Sequence, residues 1–243
     1  MNIVEQASGR LLSGNPASAV FEREWRIYGK MIDNNYLFHR EAYACLREIV
    51  LRELARPFRF LDIACGDASV TVGALAGTSV AHYYGIDLST DALDIASRNL
   101  IALNCAVELE RGDFEDVLAR WQGSVDLAWV GLSLHHLEAA RKLAVMRQVR
   151  RIIGDGGLFL AYENASPDGE DRTAWLRRWA DEEYRCTAYS ADEWRTMADH
   201  VVAHDFPETS TNWRDLGRDA GFRDVREVFI APTNLYRMYL FRP

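Results

Sequence analysis

Gly66 and Asp87 lie 21 positions apart, and each closes a stretch that reads as a buried strand. Phe60-Leu61-Asp62-Ile63-Ala64-Cys65 precedes the glycine and Ala81-His82-Tyr83-Tyr84-Gly85-Ile86 the aspartate. Glycine lacks a Cβ, so the backbone can turn sharply at Gly66 and let a ligand come close. A helix over about 68–76 follows, so strand, tight turn and helix N-terminus come in succession, the parts of a nucleotide crevice. A carboxylate about 20 residues beyond the turn is where a βαβ unit places its acceptor for ribose hydroxyls. Further along, His135 and His136 stand side by side. Imidazole titrates near neutrality and can take a proton at working pH. Adjacent residues point in different directions, so one of the two is expected to face a pocket, His135 by preference. The other is expected to pack between sheet and helix or to cap the next helix.

Residues 58–163 resemble the core of the class I S-adenosylmethionine-dependent methyltransferases. Leu61-Asp62-Ile63-Ala64-Cys65-Gly66-Asp67 stands where that family has its glycine-rich first motif. Gly85-Ile86-Asp87-Leu88-Ser89 is similar to the acidic second motif, and Arg111-Gly112-Asp113-Phe114 to the third. Val125-Asp126-Leu127-Ala128-Trp129-Val130 with Leu134-His135-His136-Leu137 resembles the fourth strand and its exit. Gly156-Gly157 followed by Leu158-Phe159-Leu160-Ala161-Tyr162-Glu163 resembles the fifth. The order and spacing of the five carry the resemblance. One departure stands out: the family often has three glycines in the first motif, and here Ala64 and Ala68 flank Gly66.

The resemblance implies S-adenosyl-L-methionine as cofactor and S-adenosyl-L-homocysteine as its product. The implied cofactor contacts are Asp62, Ala64, Cys65, Gly66, Asp87, Leu88, Gly112, Asp113, Phe114, Val130 and Gly131. Asp87 would hold the two ribose hydroxyls, Asp113 would accept from the adenine amino group, and Phe114 would lie against the ring. On the bare sequence Asp113 equally reads as the cap of a helix over 114–120. Methyl transfer is an in-line displacement that proceeds largely by alignment and water exclusion. His135 is the candidate general base, and Tyr28, Tyr36, His39, His136, Tyr162 and His204 are the candidate substrate contacts.

The elements that must position these groups follow partly from the patterning and partly from the resemblance, which implies the seven-stranded sheet and the N-terminal lid. The expected fold is a doubly wound α/β sheet, mostly parallel and seven-stranded, with an antiparallel edge strand and helices on both faces. Val225–Ile230 and Tyr236–Phe241, joined by a short turn, form the edge pair. Residues 1–55 are expected to be an N-terminal helical arm that folds over the site as a lid, or else ordinary core packing. Residues 56–243 are the catalytic core, with a helical insertion at about 164–210. Ser190-Ala191-Asp192-Glu193 opens one inserted helix with a capping-box pattern.

Bulk properties limit the function further. In 243 residues, 49% hydrophobic and 26% charged, the net charge is −8. A nucleic-acid substrate calls for a basic surface that this composition does not supply. No apolar run suits a membrane span, and the N-terminus lacks a signal-peptide layout, so a cytoplasmic enzyme is expected. The expected partner is a small-molecule substrate, with no nucleic acid or membrane, and with the chain a monomer or homodimer. The four cysteines form no Cys-x-x-Cys pair. His200 and His204 share a helix face beside Asp205, but without further ligands nearby no metal is expected. A dinucleotide oxidoreductase would call for a Gly-x-Gly-x-x-Gly run, which is missing. A non-catalytic scaffold would be free to lose Gly66, Asp87 and Asp113, which are intact.

Overall fold

The computed structural model describes residues 27–243. Residues 1–26 of the expected N-terminal arm lie outside the described residues. The chain is helical over 27–33 (α1), turns at 34–37, and continues as α2 (His39–Glu53), β1 (Phe58–Ile63), α3 (Ser69–Leu75) and β2 (Val80–Asp87). Next come α4 (Thr90–Asn99), β3 (Ala106–Arg111), α5 (Phe114–Arg120), β4 (Leu127–Gly131), α6 (Ala139–Ile153) and β5 (Leu158–Ser166). The last third holds α7 (Arg172–Ala180), α8 (Ala191–His204), β6 (Glu208–Thr209), α9 (Ser210–Asp219), β7 (Asp224–Ile230) and β8 (Tyr236–Arg242).

The strands run in the order β3-β2-β1-β4-β5-β8-β7, with the two-residue β6 beside the end of β5. All pairs are parallel except β5 with β8 and β7 with β8. The sheet is therefore the expected seven-stranded path with its antiparallel edge, plus one short addition. Strand alternation sorts two cores. Phe60, Tyr83, Trp129, Leu160 and Tyr162 face one way, against α2, α3 and α7. Leu61, Ile63, Ala128, Val130 and Phe159 face the other way, against α5, α6 and α9. Because both faces are covered, the central strands read as continuous apolar runs.

β4 starts at Leu127, just after Asp126, whose Oδ2 accepts the Arg59 amide at 2.7 Å and Arg59 Nε at 3.0 Å. Within the helical insertion expected at about 164–210, α7 ends at Ala180 and tightens into a 3-10 turn, Asp181–Arg185. α4 likewise finishes as a 3-10 turn, Leu100–Leu103. The capping box forms as its pattern implies, with Ser190 Oγ accepting from the Glu193 amide and Glu193 accepting from the Ser190 amide. α2 places Ala42, Leu46, Ile49 and Val50 in the first core, so within the described part of the arm the residues that overhang the sheet are those before it.

Candidate functional site

Strand order reverses between β1 and β4, and the crevice above their carboxyl ends is where an open α/β sheet takes ligands. A cavity of about 480 Å³ opens there. Its first wall is the turn after β1. Ala64, Gly66 and Ala68 all adopt positive φ, at 57°, 54° and 55°. This backbone would suit three glycines, and two alanines accept it. A Cβ built on Gly66 would meet nothing within 4 Å, so the turn leaves the approach to the backbone open. Asp87, at the end of β2, closes the turn. Its Oδ2 accepts from the Gly66 amide at 2.8 Å and its Oδ1 from the Ser89 amide at 2.8 Å. An ionised carboxylate has about four acceptor positions, so two remain.

This wall is acidic. Burial, and then the charges of Asp67, Asp62 and Asp87, hold the Tyr28 hydroxyl far above its usual range. The carboxylates of Asp67 and Asp87 near this hydroxyl favour a cationic ligand and disfavour a diphosphate. Beneath the turn Asp62 is 2% exposed, and Tyr83 Oη donates to its Oδ2 at 2.6 Å. Burial raises Asp62 from 3.8 to about 7. Burial, Asp62 and Asp87 together push the Cys65 thiol far up, so it is no thiolate nucleophile.

The second wall is built on the exit of β4. Leu132 takes a left-handed φ of 55°, unusual for a bulky residue, and its amide donates to Tyr162 O at 2.7 Å. Glu163, fully buried, holds the loop that follows. Its Oε1 accepts the amides of Ser133 and Leu134 at 3.0 and 2.8 Å, and its Oε2 the amide of His135 at 3.1 Å. Oε2 also lies 2.9 Å from His135 Nδ1. With the carboxylate ionised, Nδ1 carries the proton and His135 Nε2 presents a lone pair. That lone pair is 3.8 Å from Asp205 Oδ1. His136 Nδ1 is 3.4 Å from the same oxygen. Burial works against charge on Asp205, but the imidazole of His136 beside it holds its carboxyl below the usual range.

Ala64, Cys65, Gly66, Asp87, Gly131, Tyr28, His39, His135 and His136 all line the cavity. Both histidines do so, contrary to the expectation that only one would. The 3-10 turn Leu134–His136 brings their rings to 4.1 Å at the mouth, His135 buried and His136 exposed. Asp62 lies under the wall, Val130 in the second core, and Leu88 stands out at 65% exposure. Gly112 donates to Asp87 O at 3.0 Å, and Asp113 caps α5 through the Glu115 amide. Phe114 packs on the second core.

Among the substrate candidates, three sit elsewhere. Tyr162 is fully buried and donates to Leu37 O at 2.7 Å, since its place in the β5 alternation points it under α2. Tyr36 lines a small adjoining recess and accepts the Ala188 amide at 2.9 Å. His204 is exposed at the end of α8, outside the cavity lining. In their stead Tyr43, Asn164, His200 and Asp205 complete the walls. Tyr43 was legible as the i+4 neighbour of His39, whereas Asn164 follows two residues after Tyr162 and gave no signal of its own.

The sheet order, the glycine turn and the acid closing β2 are arranged as in the fold of class I S-adenosylmethionine-dependent methyltransferases. Residues 60–157 match the family model described as a methyltransferase domain. Over 203 residues the chain is 20% identical to carboxy-S-adenosyl-L-methionine synthase of Campylobacter hominis, covering 84% of this chain and 86% of that protein. It is 25% identical over 154 residues to demethylmenaquinone methyltransferase of Leptospira interrogans, spanning 58% of that relative's length and 61% of its own. Magnesium protoporphyrin IX methyltransferase of Synechocystis, solved with bound S-adenosylhomocysteine, shares the fold at a TM-score of 0.60 and 14% identity, covering 93% of this chain and 95% of that one. Among the described residues no helix is long and apolar enough to cross a membrane.

Proposed function

We propose that the chain transfers the methyl group of S-adenosylmethionine to an oxygen or nitrogen nucleophile on a small molecule bound against the histidine wall. One observation carries this reading: a single cavity has the Gly66–Asp87 turn on one side and His135, His136, Asn164 and His200 on the other. When bound, the cofactor supplies a methyl group activated on a cationic sulfur. The acidic first wall suits that charge. The remaining acceptor positions of Asp87 suit the ribose hydroxyls. His39 is 6% exposed, pushed down to about 4 by burial, and its Nδ1 has no hydrogen-bond partner among the described residues. It is therefore a neutral polar group on the wall awaiting a ligand.

Residues 27–39 overhang the cavity with Tyr28, Met31, Leu37 and His39 and would exclude water from it. The adjoining recess shares Met31, Leu37, Trp179, Met197 and Tyr236 with the cavity and contains Trp179 stacked on Trp194 at 4.9 Å. The recess itself holds only about 30 Å³, so an acceptor with an apolar body and a polar nucleophile fits the main cavity, against the side chains the two share. His135 Nε2, with Nδ1 committed to Glu163, is the lone pair that would receive the nucleophile's proton. The net charge of −8 supports a small molecule over a nucleic acid.

The nearly full-length similarity to a synthase of carboxylated S-adenosylmethionine favours one second reading, in which the cofactor itself is modified. A single experiment addresses both. Purified protein is incubated with S-adenosylmethionine and a panel of hydroxyl, amine and carboxyl acceptors, and both cofactor and acceptor are weighed by mass spectrometry. Methyl gain on an acceptor supports the proposal, whereas a heavier cofactor with no methylated acceptor replaces it with the second reading. In parallel, Asp87→Ala leaves ribose hydroxyls unpaired at about 1–3 kcal/mol each, so S-adenosylhomocysteine affinity falls about tenfold or more. Unchanged affinity by calorimetry would remove Asp87 from the cofactor site.

A further inference from the structure

We infer that His135 Nε2, His136 Nδ1 and Asp205 Oδ1 form a binding site for one divalent transition-metal ion on the histidine wall. The inference rests on reading that wall as the acceptor side of the cavity. These residues offer one ligand atom each, all within 4.8 Å of one another. The separations of His136 Nδ1 and His135 Nε2 from Asp205 Oδ1, 3.4 and 3.8 Å, are too long for good hydrogen bonds. Ligands about 2.0–2.2 Å from a tetrahedral ion stand roughly 3.3–3.6 Å apart, so shifts of a few tenths of an ångström would close those two pairs on an ion.

Three further observations point to a ligand. Asp205 is 4% exposed, and its Oδ1 has no hydrogen-bond partner among the described residues, while Oδ2 accepts from Asn164 Nδ2 at 2.7 Å. A buried carboxylate oxygen left so, facing two imidazoles, calls for a partner. His135 gives its far nitrogen to the buried Glu163, the arrangement that orients an imidazole and raises its basicity when the near nitrogen binds metal. The geometry is also held in place before any ion arrives. The Phe206 amide donates to His135 O at 2.7 Å, and Arg172 Nε donates to Asp205 O at 2.6 Å. Two imidazoles and one carboxylate, with the remaining positions open to the cavity, match zinc(II) or another divalent first-row ion.

The ion and a proton compete for the same Nε2 lone pair. With the ion bound, His135 stops being a proton acceptor, and an acceptor hydroxyl on the ion becomes more acidic by coordination. The pair visible in the sequence, His200 with His204, is a different set. His200 approaches His136 through ring contact at 5.3 Å, and the His204 backbone carbonyl lies 3.4 Å from His136 Nδ1, a contact made by the protonated ring that an ion on Nδ1 would displace.

The test strips the full chain with a chelator and titrates zinc(II) by calorimetry and cobalt(II) by visible absorption. Wild type, Asp205→Asn, His136→Ala and His204→Ala are compared. Expected are one ion per chain, ligand-field bands of a low-coordinate cobalt site, and full affinity in His204→Ala. Asp205→Asn and His136→Ala should each lose at least about 100-fold, more than loss of an outer hydrogen-bonding partner costs. The thermal shift given by S-adenosylhomocysteine, measured on each variant, shows that it is folded and reports the cofactor half separately. Weak binding in wild type, or affinity lost in His204→Ala and kept in Asp205→Asn, overturns the site. Loss of the S-adenosylhomocysteine shift with metal binding intact would instead overturn the functional reading.

Discussion

Replacing Asp62 by asparagine should make the protein more stable at pH 8 and leave it nearly unchanged at pH 4.5. Asp62 sits under the glycine turn, 2% exposed, and accepts from Tyr83 Oη. Burial raises it from 3.8 to about 7 in the folded chain. Between those values the folded protein holds a proton that the unfolded chain has released, so stability falls as pH rises through the window. The loss is complete above pH 7. Three units at about 1.4 kcal/mol each set its size at about 4 kcal/mol at most, and water reaching the opened turn would reduce it to about 2. Asparagine keeps an acceptor for Tyr83 and carries no charge at any pH. The difference between the two proteins isolates Asp62, because all other titrating groups are shared. Urea unfolding of both at pH 4.5, 6 and 8 is the assay. With an m-value of about 3 kcal/mol per M, the asparagine variant's midpoint should lead by roughly 1 M at pH 8 and by little at pH 4.5. A constant offset across the series would show that Asp62 titrates normally and that the burial argument is wrong.

Two further outcomes are expected. Gly85→Ala places a Cβ 2.7 Å from Leu109 Cδ2 and 2.9 Å from Cys65 Sγ, so it should destabilise by about 1–3 kcal/mol and weaken S-adenosylhomocysteine binding by displacing Cys65 beside Gly66. Wild-type affinity measured by calorimetry would mean the strain dissipates away from the turn. Lys30→Ala removes the contacts of Nζ to both Glu193 oxygens, at 2.8 and 2.7 Å, that tie α1 to α8. Amides of residues 27–37 should exchange faster in deuterium while the melting point falls by no more than about 4 °C. S-adenosylhomocysteine should slow that exchange again, and protection that ignores both the mutation and the ligand would make this segment ordinary core.

Local chemistry made much of this protein legible in one dimension. Strand periodicity of two sorted the central strands onto two faces, and turn and cap residues act within a few positions of themselves. Thus Ser190 and Glu193 close their capping box, and the β7–β8 pair ends the sheet as its turn implied. The Gly66–Asp87 contact spans 21 positions, but a βαβ unit fixes that separation by its own length, so it too was readable. The histidine wall was not. Asp205 meets His135 and His136 from about 70 positions away, and the meeting depends on where α8 ends and how Asn164 and Arg172 hold the segment after it. At the tip of β5 the alternation says that Tyr162 and Asn164 share a face but not where the cavity begins; the packing of α2 over Tyr162 decides that. Which residues share a face follows from backbone geometry repeated every two or 3.6 residues. Which faces meet is set by the packing of whole elements, and that is where the histidine side of this cavity was decided.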